Sequence, residues 1–163
     1  MKISISQTSR ELGIRAAIYS ADILNQSIQE KGKARLLLST GKSQFDTLEA
    51  LVGQDIDWSR VEMFHLDEYI GLPEEHPASF RKYLKERILG KVPIKQAHLI
   101  DGEGNIDTVI RDLTKSVRQE QIDLALIGIG ENAHIAFNDP PADFDTKEAF
   151  RIVTLDRRCK EQQ

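Results

Sequence analysis

Leu126-Ile127-Gly128-Ile129-Gly130-Glu131-Asn132-Ala133-His134-Ile135-Ala136-Phe137-Asn138-Asp139-Pro140 is the stretch on which the reading of this chain turns. It opens as the end of a buried strand, because Ile122 to Ile127 is apolar apart from Asp123. The strand then breaks at two glycines into a run that holds an amide, an imidazole and a carboxylate. In an open α/β sheet, ligands bind at the carboxyl ends of strands, so this loop is the first place to look for chemistry.

Working outward, Ile106 to Val117 has the periodicity of an amphipathic helix, and Ala97 to Ile100 that of a short strand, with Asp101-Gly102-Glu103-Gly104 as the turn between them. Pro77 and Ser79 open a helix that carries Phe80, Tyr83, Leu84 and Ile88 and stops near Gly90. Val61 to Leu66 is a strand that runs straight into Asp67-Glu68-Tyr69. Arg35 to Leu38 is another, followed by the loop Ser39 to Ser43 and a helix from Gln44 to Val52. Ahead of these, Ser9 caps a helix to about Lys31, with Leu12, Ala16, Tyr19, Ile23 and Ile28 as its inward face and Gly32 as its stop. Beyond Pro141, Arg151 to Leu155 is expected as a further strand and Asp156 as the start of a helix that breaks off at Gln163 after barely two turns. Strands alternating with helices predict an α/β fold, a Rossmann-like, doubly wound, mostly parallel sheet with helices on both faces.

The composition agrees with one globular domain: 163 residues, 40% hydrophobic and 29% charged. A net charge of -4 argues against a nucleic-acid partner held by bulk electrostatics. The lone Cys159 excludes an internal disulfide framework. Neither a signal peptide nor an apolar run of membrane-spanning length is legible, so no membrane partner and a cytoplasmic location are expected.

Three loops carry candidate chemistry. Ser39-Thr40-Gly41-Lys42-Ser43 presents hydroxyls and backbone N–H groups at a helix start, which suits a phosphate dianion as well as it suits a plain turn and cap. It is not a nucleotide-binding P-loop, which needs glycine where this chain has Leu36. Asp67 and Glu68 follow an apolar strand directly, so one carboxylate is expected to face a pocket as a base and the other to cap or pair. His65 and Asp67 share a side of the strand, but with His76 or His134 they make only a weak case for a metal. In the opening stretch, Asn132, His134 and Asp139 read as a relay in which Asp139 holds one imidazole nitrogen and leaves the other to move a proton.

The second and third loops resemble those of the glucosamine-6-phosphate deaminase/isomerase family. Its members carry Phe-x-x-Asp-Glu-Tyr-x-Gly-Leu-Pro-x-x-His-Pro-x-Ser, here Phe64 to Ser79, and Gly-x-Gly-x-x-Gly-His-Ile-x-Phe-Asn-Glu-Pro, here Gly128 to Pro140. The resemblance implies that an amino-sugar 6-phosphate is converted to a ketose 6-phosphate and ammonia without a redox cofactor or catalytic metal. Asp67 matches the base that moves a proton between C1 and C2, and His134 the imidazole that opens the sugar ring, supported by Asn132 and Asp139. Ser39, Thr40, Gly41, Lys42 and Ser43 match the phosphate-side loop, and Glu68 and Gly130 are carried over as substrate-binding. Alternatives are a 6-phosphogluconolactonase-type hydrolase, suggested by Gly-x-Gly-Glu131, and a sugar-phosphate-binding homologue without turnover.

The departures are Ala133 for the glycine before the histidine, Asp139 for the usual glutamate, and Lys42 and Gln44 in the phosphate loop where glycine and proline are common. Residues 1–163 are read as a single sugar-phosphate isomerase/deaminase domain. Family members continue past Gln163, so the resemblance implies a chain short of its C-terminal part, and oligomerisation, common among them, makes a homo-oligomer an expectation.

Overall fold

The computed structural model describes residues 2–130, 133–138 and 142–155. Helix α1 (Ser9–Lys31) is capped by the Thr8 side chain, which accepts from the Glu11 N–H, and it ends at Gly32, whose φ of 75° places it in the left-handed region that favours glycine. Strand β1 (Ala34–Leu38) leads to α2 (Phe45–Val52), β2 (Val61–His65) to α3 (Phe80–Leu84), and β3 (Gln96–His98) to α4 (Ile106–Val117) and β4 (Leu124–Leu126). The pairings are all parallel, in the order β3-β2-β1-β4.

Alternation along β1 sorts the layers. Ala34, Leu36 and Leu38 belong to the apolar core with Ala17 and Leu24 of α1, Leu48 and Leu51 of α2, and Leu84 of α3. Arg35 points the other way, where its guanidinium donates to the carbonyls of Ser116 (2.7 Å), Val117 (3.1 Å) and Glu120 at the end of α4. Its Nε donates to Glu62 at 2.9 Å, and the guanidinium lies over the Phe64 ring at 4.4 Å. This buried cation therefore has a carboxylate, a ring and the negative end of a helix around it, which compensates for its desolvation. Helices cover both faces, as expected: α1, α2 and α3 one, α4 the other.

Two expectations fail. The buried face of α1 is Gly13, Ala17, Ser20, Ala21, Leu24 and Ser27, while Leu12 and Tyr19 are 45% and 61% exposed. Close approach is the cause: a Cβ on Gly13 would lie 2.6 Å from the Asp46 carbonyl carbon of α2. At that position the contact admits only glycine, which turns the helix away from the face that carries Leu12 and Tyr19. Residues 151–155 form no strand. Their side chains instead line a cavity, as described below, and their backbone stays out of the β ladders. The helix expected from Asp156 lies outside the described residues.

The strand order places the crossing point. From β1 the chain moves outward through β2 to β3, then returns to the opposite side of β1 as β4. Leu38 is in register with both His65 and Leu126, so the loops that follow β1, β2 and β4 emerge at one level. The three candidate loops of the sequence are these three.

Candidate active site

The loops are stitched together at their bases. Leu66 N–H donates to Leu38 O (3.0 Å) and Ser39 N–H to Leu126 O (3.0 Å). Gly128 N–H donates to the Ser39 hydroxyl at 2.9 Å, and Gln44 Nε2 donates to the same oxygen. Tyr83 of α3 donates its hydroxyl to Gly41 O at 3.0 Å and so pins the tip of the first loop. Burial of the Tyr83 phenol pushes its pKa up to about 12, so it remains a donor.

A cavity of about 190 Å³ lies between the loops, lined by Ser39, Thr40, Gly41 and Ser43 from the first, Asp67 from the second and Gly128, Gly130 and His134 from the third, with Phe80 and Phe137 as an aromatic wall. Lys42 is exposed and outside this lining. The Asp67 Oδ1 atom is buried without a hydrogen-bond partner among the described residues. Burial, then the neighbouring Glu68 charge, raises the Asp67 pKa to about 7. A carboxylate so placed exchanges a proton readily near neutrality, which is what a general base or acid requires.

Glu68 is turned the other way. Its carboxylate accepts from the N–H groups of Tyr69 (2.9 Å), Phe80 (3.2 Å) and Arg81 (2.8 Å) and from the Ser79 hydroxyl (3.3 Å). Its side chain is fully buried against Arg81, and Glu68 is absent from the lining of the cavity that Asp67 shares with His134. The carboxylate carried over as substrate-binding is thus occupied by the first turn of α3. His65 also stays out of the cavity: Ile100 N–H donates to its Nδ1 at 3.4 Å, and burial, then the Arg81 charge, lowers its pKa to about 3 and keeps it neutral. Among the described residues, no three His, Cys, Asp or Glu side chains gather as a metal site.

The third loop bends on itself. Ala133 N–H donates to Gly130 O and Gly130 N–H to His134 O, each at 2.9 Å. The turn takes Ala133 to φ 65° and Ala136 to φ 53°, left-handed values that cost a residue with a Cβ about 1–2 kcal/mol each. The His134 ring rests on Gly130, where a Cβ would collide with it. Gly130 thus makes room for the imidazole. Phe137 then packs against Tyr69 (5.0 Å between centroids) and Phe80 (5.8 Å), and Tyr69 against Phe80 (5.1 Å), locking the third loop onto the second. Glu131, Asn132 and Asp139 lie outside the described residues, so the relay partners of His134 are not placed. The sequence reading did not single out Phe80, Phe137 and Tyr83 as site residues, because Phe80 and Tyr83 at helical spacing read as core and Phe137 carries no titratable group.

Asp67, Ala136 and Phe137 also border a second, apolar cavity of about 430 Å³, lined by Ile106, Val109 and Ile110 of α4 and by Ile152, Val153 and Leu155.

A parallel sheet with a proton-exchanging carboxylate, an imidazole and a hydroxyl-rich loop at its switch point defines an α/β domain of the small-ligand-binding class. Comparison with known proteins narrows this. A family model described as glucosamine-6-phosphate isomerases/6-phosphogluconolactonase matches residues 7–161, and the chain belongs to that family. A glucosamine-6-phosphate deaminase of Exiguobacterium sp. is 34% identical over 97% of this chain and 61% of its own length. One from Lactobacillus delbrueckii subsp. bulgaricus is 33% identical over 90% and 61%. Among solved structures, a monomeric glucosamine-6-phosphate deaminase of the NagB superfamily superposes with a TM-score of 0.86 at 28% identity, covering 99% of this chain and 68% of the other. A putative 6-phosphogluconolactonase from Neisseria gonorrhoeae gives 0.72 at 27%, covering 83% and 60%. The chain spans about 61% of the length of the curated relatives it matches. No helix among the described residues is long and apolar enough to cross a membrane.

Proposed function

We propose that the protein isomerises and deaminates an amino-sugar 6-phosphate, taking glucosamine 6-phosphate to fructose 6-phosphate and ammonia. The observation that carries this reading is the buried, unpartnered Oδ1 of Asp67 on a cavity it shares with His134 and the Ser39–Ser43 loop. Asp67 takes the C2 proton of the opened sugar and returns a proton to C1, a shuttle suited to a carboxyl whose pKa is about 7. Water then adds to the resulting C2 imine, supplying the ketone oxygen as the C–N bond breaks and ammonia leaves. His134 moves the proton that opens the ring, with Asn132 and Asp139 as its supports. Ser39, Thr40, Gly41 and Ser43 line the same cavity and take the phosphate, with Gly130 beneath the imidazole and Lys42 adding charge from outside. Glu68 acts from behind Asp67 rather than on the sugar. No cofactor enters the scheme.

The test is ammonia release from glucosamine 6-phosphate by the complete protein. The lactonase-like structural neighbour supports a second reading, hydrolysis of a sugar-phosphate lactone on the same sheet. Hydrolysis of 6-phosphogluconolactone with no ammonia from the amino sugar reverses the order of the two. Binding of the sugar phosphate with neither reaction points to a homologue that does not turn over.

A further inference from the structure

Behind the cavity, Arg81 of α3 joins the loop after β2 to the turn before α4. Its Nε lies 3.5 Å from Glu68 Oε2, its Nη1 donates to Asp101 at 3.1 Å, and its Nη2 donates to Glu103 (3.0 Å) and to Leu72 O (2.8 Å). The pair is buried, with side chains 5% and 0% exposed for Arg81 and Glu68, whereas Asp101 and Glu103 are about half exposed. Around it the backbone is stitched again, by Gly71 N–H to Gly102 O at 2.7 Å and Glu74 N–H to Glu103 at 3.1 Å. A Cβ on Gly102 would meet the Tyr69 carbonyl, so glycine is needed for that approach.

We propose that Glu68 and Arg81 are positioning residues for Asp67: the pair fixes the backbone that carries the base and holds a partly balanced negative charge beside it. The inference rests on the reading of Asp67 as the base. A carboxylate used only to start α3 would not need a second, buried cation: Ser79 already caps that helix by accepting from Lys82 N–H. Nor is the buried Arg81–Glu68 pair expected for stability alone, because each desolvated ion carries a penalty that its pairing must offset. The arrangement makes sense as a field. Glu68 disfavours ionisation of Asp67, and Arg81 tempers Glu68 from the side away from the cavity. Arg81 also acts on His65, which stays neutral, so His65 adds no charge of its own. Asp101 and Glu103, about half exposed, pair with the Nη1 and Nη2 atoms of Arg81.

The experiment is a ¹³C titration of the Asp67 carboxyl in the full chain, run beside the pH dependence of kcat/KM for ammonia release. Glu68→Gln removes the like charge and is expected to lower the Asp67 midpoint by about half a unit to one unit. Arg81→Met leaves Glu68 unbalanced and is expected to raise it by a similar amount, while Arg81→Lys, which keeps the charge, stays close to the parent. The acid limb of kcat/KM moves with the midpoint, and KM changes less than about threefold. A midpoint unmoved in the folded variants overturns the proposal, whether activity falls through lost stability or KM rises because Glu68 touches the sugar. If one substitution prevents folding, the sign of the other decides. The titration needs no turnover, so a moved midpoint without ammonia release removes the deaminase reading and leaves the pairing intact.

Discussion

The loops after β2 and β4 both deliver a titratable side chain to one cavity, but they are held by different physics. The second loop is held by polar bracing: Glu68 gathers three backbone N–H groups and a hydroxyl, and Arg81 ties it to the turn before α4. The third has a polar clasp of its own, Asn138 with Asp143 and Arg151, but around the imidazole it is shape that holds it: a turn with two left-handed alanines, a glycine that yields to the ring, and a phenylalanine packed on two other rings. A carboxylate whose pKa is raised first by burial and then by a neighbouring charge needs both its backbone and that charge held in place. An imidazole in an outer loop needs a fixed direction, which backbone bends and ring packing supply.

Substitutions separate the two. The largest effect is expected at Asp67→Asn, with kcat for ammonia release falling about 10²–10⁴-fold, the usual contribution of a general base. The same variant tests the buried charge. The folded-state pKa of about 7 lies above the ordinary 3.8, so the stability that the protonated form contributes is fully present below 3.8 and is lost as pH rises through about 7. The amide that replaces the carboxyl is always neutral and escapes that loss. Thermal melts should therefore show Asp67→Asn gaining stability over the parent at pH 8 relative to pH 3, by up to about 4 kcal/mol. A constant difference across that range breaks the account of the second loop. In the parent, kcat/KM should rise with pH through about 7 as Asp67 ionises.

Next in size is Gly130→Ala, which pushes the imidazole from its seat and is expected to lower kcat about 10²-fold, because small misplacements of a reacting group are costly. Comparable kinetics in the variant mean that the ring is not held by that contact. Phe137→Ala removes two ring contacts and should cost about 1–3 kcal/mol in denaturant unfolding, with a smaller loss of activity than Gly130→Ala. The smallest effect is a gain: Ala133→Gly relieves a left-handed alanine and should stabilise the fold by about 1 kcal/mol. A lower melting temperature for that variant means that the bend does not strain the chain.

Local pattern made much of this legible. The α4 boundaries, Ile106 to Val117, follow from periodicity and agree with the structure residue for residue. Gly32 stops α1 as read, and the departure noted at Ala133 falls at a position that does take positive φ. What failed depended on the neighbour. Leu12 and Tyr19 look like a core face, yet α1 buries Gly13, Ala17, Ala21 and Leu24, and at Gly13 α2 comes so close that a Cβ would meet Asp46. Nothing in the local pattern marks Arg35 or Arg81 as buried, yet each lies among carbonyls and carboxylates from other segments.

The sequence by itself determined the element order, the three loops and the two motifs that name the family, because these are properties of contiguous residues. Only the tertiary structure showed what turns Glu68 away from the cavity that Asp67 lines. Asp67 and Glu68 are adjacent and chemically alike, and what separates them is the start of α3, eleven to thirteen residues on, whose N–H groups face one carboxylate and not the other.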